Sequence, residues 1–404
     1  MNDLQQSPFR WVMLAGVWLI YASFGLTVAA MAPLVGVITT ELDIRLSSMG
    51  AILGAWPLVY IGAAIPAGAL LDRFGLRRAL FAAAVIMALS GLARACSSDS
   101  LSLFLAVAAF GLGGPLVSSG APKMIRQWFS EQQRGLAMGI YITGPSLGGI
   151  AALALTNSVL MPLTGHSWRL TLLIYAACTA ATGIIWLVLS SHPLAKAGES
   201  AAAASQNGLN WRVYPALLRL PVVRLVMLFC VGAFMFNHGL NNWLPQVLRG
   251  QGFSAVDAGY WAAIPTAIGI LGSLFIPRYA GGTRSVPVLR LLLVFAAFAA
   301  LGLTLLSGLT LLFPLLAQGI ARSSLMTVTM LVMMQCKAVD DKNMGAAGGL
   351  FFTAGEVGGV LGPFLFGVVA DLTGSFDLAL SGLTGLCLLM LALSFALSRA
   401  LASQ

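Results

Sequence analysis

Long apolar runs recur twelve times along the chain, each closed by a short polar turn. They fall near residues 12–40, 48–71, 79–97, 101–125, 135–160, 168–191, 221–248, 256–278, 287–308, 310–336, 344–370 and 377–399. Each holds about 19–29 residues, and at ~1.5 Å per residue that crosses a hydrocarbon core of ~30 Å. The pattern predicts an all-α membrane protein with twelve transmembrane helices. The first run is longer than the roughly 7–15 residues of a signal-peptide core, so no cleaved leader is expected.

Composition sharpens this reading. Hydrophobic residues make up 59% of the 404 positions, charged residues 9%, and mean hydropathy is +0.91. A soluble domain carries roughly 25% charged residues to wet its surface, so lipid must be the main solvent here. The five cysteines (Cys96, Cys178, Cys230, Cys336 and Cys387) are scattered and form no Cys/His ligand spacing. They read as small buried hydrophobes, with no metal, cofactor or disulfide framework expected.

The net charge of +9 reads as topology once its distribution is considered. With both termini assigned to the cytoplasm, most Lys and Arg lie in or beside cytoplasmic segments. The opposite side holds Arg45, Arg94, Arg169 and Arg249, and Arg322 belongs to neither. This is the positive-inside asymmetry of a multi-pass protein, and it argues against nucleic acid as a partner. Compact loops and short termini suggest a bacterial cytoplasmic membrane, and a monomer is expected.

The longest polar interruption runs from His192 to about Arg219. It predicts two domains, 1–191 and 220–404, joined by a cytoplasmic linker over 192–219. Spans 5 and 11 then test for duplication. Gly135, Gly139, Thr143, Gly148 and Gly149 recur without gaps as Gly345, Gly349, Thr353, Gly358 and Gly359. Five identities in one register predict two pseudo-symmetric six-helix bundles. Small residues at this spacing let helix backbones approach closely, and they also leave a smooth face along which helices can rock.

Residues Gly68-Ala69-Leu70-Leu71-Asp72-Arg73-Phe74-Gly75-Leu76-Arg77-Arg78 match G-x-L-x-D-R-x-G-x-R-R, a loop signature. The chain thereby resembles the major facilitator superfamily. The resemblance implies that Asp72, Arg73, Gly75, Arg77 and Arg78 form a cytoplasmic latch, with Asp72 facing the N-terminus of span 11. Carboxylates gain ~0.3–1 kcal/mol in such a position. The corresponding loop of the second half, Pro277–Arg284, keeps basic residues but no acid, so the latch is expected to be one-sided. In span 5, Gly144-Pro145-Ser146-Leu147-Gly148-Gly149 resembles a signature first associated with drug/proton antiporters, and its physics is a kinked, glycine-faced helix. Asn241–Pro245 and the stretch Trp128–Gly139 are similar to the cyanate/2-nitroimidazole permease group.

Ionisable residues deep inside spans are costly and therefore candidates for function. Arg322 stands about a dozen residues into span 10 and Glu356 about a dozen into span 11, which places both near the bilayer midplane. Arg322 offers forked donors suited to an anionic substrate. Glu356 either pairs with it or carries a coupling proton; a permanent structural ion pair is the alternative for both. Span 7 contributes Asn237, His238, Asn241 and Asn242, with helical spacing placing the last three along one face. Hydrogen bonding between helices explains that face equally well. Pro245 and Gly239 offer a local break that could gate the outer mouth. In the superfamily arrangement spans 1, 4, 7 and 10 line a central cavity, which implies polar lining from Tyr21, Thr27, Ser118, Ser119 and Gln318. Tyr141 joins them, and Trp56, Tyr60, Tyr260 and Trp261 are further walls or gates. Lys123 and Arg126, closing span 4, read as interfacial anchors.

These features predict a secondary transporter moving a small, anionic solute by alternating access, with protons as coupling ion. A proton-driven exporter of hydrophobic compounds is the alternative. A membrane enzyme lacks support, because His166, His192 and His238 lie in three separate places and no phosphate-binding loop occurs. A sensor would carry a soluble extension, for which the short termini leave no room.

Overall fold

The computed structural model describes residues 5, 7–195, 213–339 and 343–403. Among these residues there is no strand, and 12 helical segments are long and apolar enough to cross a membrane. They are Phe9–Glu41, Leu46–Ala64, Arg73–Ala95, Ser100–Trp128, Glu131–Leu163, Trp168–Leu189, Pro221–Gly250, Ala255–Tyr279, Gly282–Leu305, Gly308–Met334, Ala346–Thr373 and Asp377–Ala402. Each lies on one of the predicted apolar runs. Their outer faces carry large apolar side chains such as Leu105, Ile184, Val188, Phe298 and Leu389 in exposed positions. Such a surface suits acyl chains and not water.

Two compact units divide the chain: residues 1–42 with 58–208, and residues 43–57 with 209–404. Most of the expected linker, residues 196–212, lies outside the described residues. In the first unit the glycines of span 5 meet the backbone of span 1. A Cβ on Gly148 would collide with the Ala22 carbonyl, one on Gly25 with the Pro145 carbonyl, and one on Gly144 would stand 3.1 Å from the Trp18 carbonyl. In the second unit span 11 meets span 7 in the same way. A Cβ on Gly358, the repeat partner of Gly148, would collide with the Val231 carbonyl, and one on Gly362 would stand 2.6 Å from that of Met235. Equivalent glycines thus allow the same backbone contact in both units, which is the physical content of the sequence repeat.

Local breaks follow from Pro and Gly. The helix Phe9–Ala29 gives way to a short 3-10 turn, Ala32–Leu34, before helix Val35–Glu41 completes span 1. Pro33 lacks the N–H that would continue the ladder. Beside this break lies Arg94, one residue from the end of the span Arg73–Ala95. It is 2% exposed, donates to the Thr27 carbonyl at 3.0 Å and lies 5.4 Å from the Phe110 ring centre. Its long side chain folds back into the first unit, where main-chain carbonyl supplies a partner that hydropathy does not reveal. Between spans 2 and 3 the chain turns at Gly75, whose φ of 80° and ψ of 165° suit a residue without Cβ. Span 7, expected to break near its outer end, instead runs as one helix, Pro221–Gly250, through both Gly239 and Pro245. Gly239 serves packing there, since a Cβ would stand 3.1 Å from the Phe366 ring of span 11.

Residues 43–57 belong with the second unit because of their fit to span 11. Helix Leu46–Leu53 has no side-chain cap of its own, and the Leu46 and Ser47 amides donate to the Asp371 carboxylate at 3.0 and 2.8 Å. Gly50 abuts the Pro363 carbonyl and Gly367 that of Leu46. This brings Trp56 and Pro57 against the middle of spans 7 and 11.

Candidate functional site

Arg322 anchors the polar cluster of the second unit. Spans 8 and 10 approach closely through Gly319, where a Cβ would stand 2.6 Å from the Pro265 carbonyl. The next residue on span 8, Thr266, accepts a hydrogen bond from Arg322 Nη1 at 2.7 Å. Arg322 is half-buried, and among the described residues no acidic oxygen lies within 4.0 Å of it. The Arg322–Glu356 ion pair, one of the two arrangements open from sequence, is therefore not formed. Gln318, one turn earlier, is 1% exposed with Oε1 unpartnered.

His238 occupies the neighbouring position on span 7. Its ring lies 5.4 Å from that of Trp56 and 5.8 Å from that of Phe234, the latter nearly parallel. From span 11 comes Glu356, 5% exposed, whose Oε2 has no hydrogen-bond partner among the described residues. Gly359 marks where the two side chains meet: a Cβ there would stand 2.7 Å from Glu356 Oε2 and 3.3 Å from His238 Nδ1. The structure thus brings His238 and Glu356 together at Gly359, and Asn237, next to His238 on span 7, reaches Met326, one turn on from Arg322 on span 10.

The asparagines of span 7 divide. Asn242 is buried and donates to the His238 carbonyl one turn back at 2.8 Å, so it serves its own helix. Asn237 reaches Met326 Sδ of span 10 at 3.9 Å, and Asn241 is half-buried. Thr266 and Trp56 complete the cluster, and reading the sequence missed Thr266 altogether. A threonine within an apolar span carries no charge or spacing signal that would single it out.

The first unit holds a separate aromatic and hydroxyl cluster. Tyr21 and Tyr141 stack at 4.4 Å with 4° between ring planes. Tyr60 and Ser118 share a hydrogen bond at 2.8 Å, and Trp18 Nε1 donates to Thr143 at 3.0 Å. Thr27 is committed to helix packing: its hydroxyl donates to the Ser23 carbonyl at 2.8 Å and meets Thr179 at 3.4 Å. Ser119 is exposed on span 4, whereas its neighbour Ser118 is half-buried. Gly149 of span 5 makes only ordinary contact with Ala29.

Of the expected latch, the Asp72 side chain lies outside the described residues. Arg73 and Arg78 are exposed, while Arg77 donates to Ser191 at 2.7 Å and its carbonyl accepts from Trp186 Nε1 at 3.0 Å. Outside the spans, Asp99 caps span 4 by accepting from Leu101 and Ser102 at 2.9 Å, and the Ser102 amide above all holds its carboxyl below the usual range. Among the described residues no group of His, Cys, Asp and Glu has the geometry of a metal site.

The chain has relatives across nearly its whole length. It is 26% identical over 386 residues to the 2-nitroimidazole transporter of Escherichia coli, covering 94% of each chain. It is 25% identical over 370 residues to the hexuronate transporter of Bacillus subtilis, covering 84% of this chain and 83% of that one. A crystal structure of a bacterial homologue of the human lysosomal transporter Spinster superposes with a TM-score of 0.78 over 98% of both chains, at 15% identity, and shares the fold. The family model of the Major Facilitator Superfamily matches residues 17–363. With twelve spans, a repeated glycine contact in each unit and that match, the chain belongs to the Major Facilitator Superfamily and is a multi-pass membrane transporter, not an enzyme.

Proposed function

We propose that the chain is a secondary transporter of a small organic anion, coupled to protons and working by alternating access. The observation that carries this reading is Arg322. It is a guanidinium in the middle of span 10, oriented by Thr266, with no acidic partner among the described residues. A charge is rarely kept there unless something pairs with it, and a forked donor fits a carboxylate. The Bacillus subtilis relative, named for hexuronate, supports a carboxylated substrate. Uptake of radiolabelled glucuronate, glucarate and short monocarboxylates into proteoliposomes, with and without an inward proton gradient, tests the reading. Arg322→Ala should abolish uptake of whichever anion the native protein moves, and Arg322→Lys should leave a small residue of it. Undiminished uptake by Arg322→Ala removes the anion assignment.

A second reading has one observation in its favour. Trp56 and Phe234 flank His238, with Phe352 set edge-on to Phe234 at 6.5 Å. That wall would also hold a flat heteroaromatic compound, and the Escherichia coli relative is named for one. Resistance to 2-nitroimidazole in a pump-deficient host carrying the native chain, retained by Arg322→Ala, would favour it.

A further inference from the structure

Glu356 is a buried carboxyl whose Oε2 has no hydrogen-bond partner among the described residues. A lone carboxylate in such a place is costly unless a proton or an opposite charge is within reach. Arg322 does not supply that charge, because it bonds to Thr266 and forms no ion pair with Glu356. What faces Oε2 is the imidazole of His238, across the position where Gly359 carries no side chain. Both polar atoms crowd the point a Cβ would occupy, 2.7 Å from the carboxyl oxygen and 3.3 Å from Nδ1. Pro57 Cβ lies 3.3 Å from the same point, and the rings of Trp56 and Phe234 lie beside the imidazole.

We infer that Glu356 and His238 are a proton-exchanging pair, that Gly359 keeps the path between them open, and that this pair carries the coupling proton. This rests on the reading of the chain as a proton-coupled anion transporter. The step conserves atoms and charge. The O–H bond of Glu356 breaks, an N–H bond forms at Nδ1, and a carboxylate is left facing an imidazolium. The titratable group facing the imidazole from span 11 is Glu356, and the charged group of span 10 is Arg322, one turn from the Met326 that Asn237 reaches. Residues 43–57 contribute Trp56 and Pro57, and span 7 itself contributes Phe234.

This placement also supplies the coupling. Arg322 repels an imidazolium at His238, and an anion bound at Arg322 offsets that repulsion. Anion and proton then favour each other's binding, and by linkage the effect is reciprocal. A chain lacking the pair should still exchange anion for anion but should not accumulate it against a gradient.

The test needs no substrate. Purified native chain in lipid nanodiscs is titrated with pH while infrared difference spectra follow the protonated-carboxyl band. Glu356→Gln should remove one such band. His238→Gln, His238→Asn and Gly359→Ala should each move the midpoint of that band by about tenfold or more in proton concentration, as strongly interacting sites require. A Glu356→Gln spectrum that keeps every protonated-carboxyl band of the native chain overturns the proposal. So does a Glu356 band whose midpoint is the same in the native chain and in either His238 variant that elutes as a single folded species. Because no anion is added, a failed titration leaves the uptake result with Arg322→Ala standing, and a failed uptake result leaves the titration standing.

Discussion

Removing the Asp371 carboxylate tests how residues 43–57 are held to span 11. Helix Leu46–Leu53 begins with unpartnered amides, as every helix does, and two of them are satisfied from a distant part of the chain by Asp371 at 3.0 and 2.8 Å. A capping oxygen contributes about 0.5–2 kcal/mol, and the charge adds a few tenths through the helix dipole. Asp371 is exposed, so solvent screening holds the total near the lower part of that range, about 1 kcal/mol. That energy corresponds to roughly a fivefold change in a local opening equilibrium. Hydrogen exchange followed by mass spectrometry on Asp371→Ala should therefore show amides of residues 46–50 exchanging about five times faster than in the native protein. Asp371→Asn keeps an acceptor oxygen and should fall between the two. Span 7 peptides should not change. Identical exchange over 46–50 in the native chain and Asp371→Ala would mean that the close contacts of Gly50 and Gly367 hold the segment without the carboxylate.

Other substitutions test separate parts of the reasoning. Gly358→Ala and Gly148→Ala each drive a Cβ into a backbone carbonyl; overpacking of this kind costs about 1–3 kcal/mol. Both should lower the unfolding temperature in detergent, whereas Gly382→Ala, with open space around it, should not. Arg94→Met should leave thermal stability unchanged or raised, because Nε and Nη2 of Arg94 are buried without partners among the described residues and an apolar side chain of similar length removes that burden. Asp99 has a carboxyl held below its ordinary range by the Ser102 amide. Its stabilising effect is present above the ordinary carboxylate range and is lost as pH falls through the lowered value. The stability gap between the native chain and Asp99→Ala, measured against pH, should therefore close on acidification.

Much of the architecture was legible because it depends on local composition. A run of about twenty apolar residues has no soluble alternative of comparable stability, so the spans could be counted directly. The Gly148 and Gly358 correspondence was legible for a related reason, since two copies of one packing solution keep the small residues that permit it. Arg322 and Glu356 stood out because charge in an apolar run is conspicuous. Their relation did not. Whether they pair depends on rotamers and on Thr266, an ordinary residue of span 8 that becomes significant only when span 10 lies against it. Arg94 is another such case: charge alone put it on the non-cytoplasmic side, and only the fold shows that its long side chain reaches the Thr27 carbonyl of span 1.

The amino-acid order alone therefore determined that the chain lives in lipid, how many times it crosses, that its halves share a common pattern, and which charges are out of place. Tertiary structure decided which of those charges meet. In a soluble helix the apolar stripe tells inside from outside. Here both the lipid-facing and the protein-facing sides are apolar, so the sequence holds no such stripe. Only the packing of spans 7, 10 and 11 turns His238 and Glu356 toward the single glycine they share.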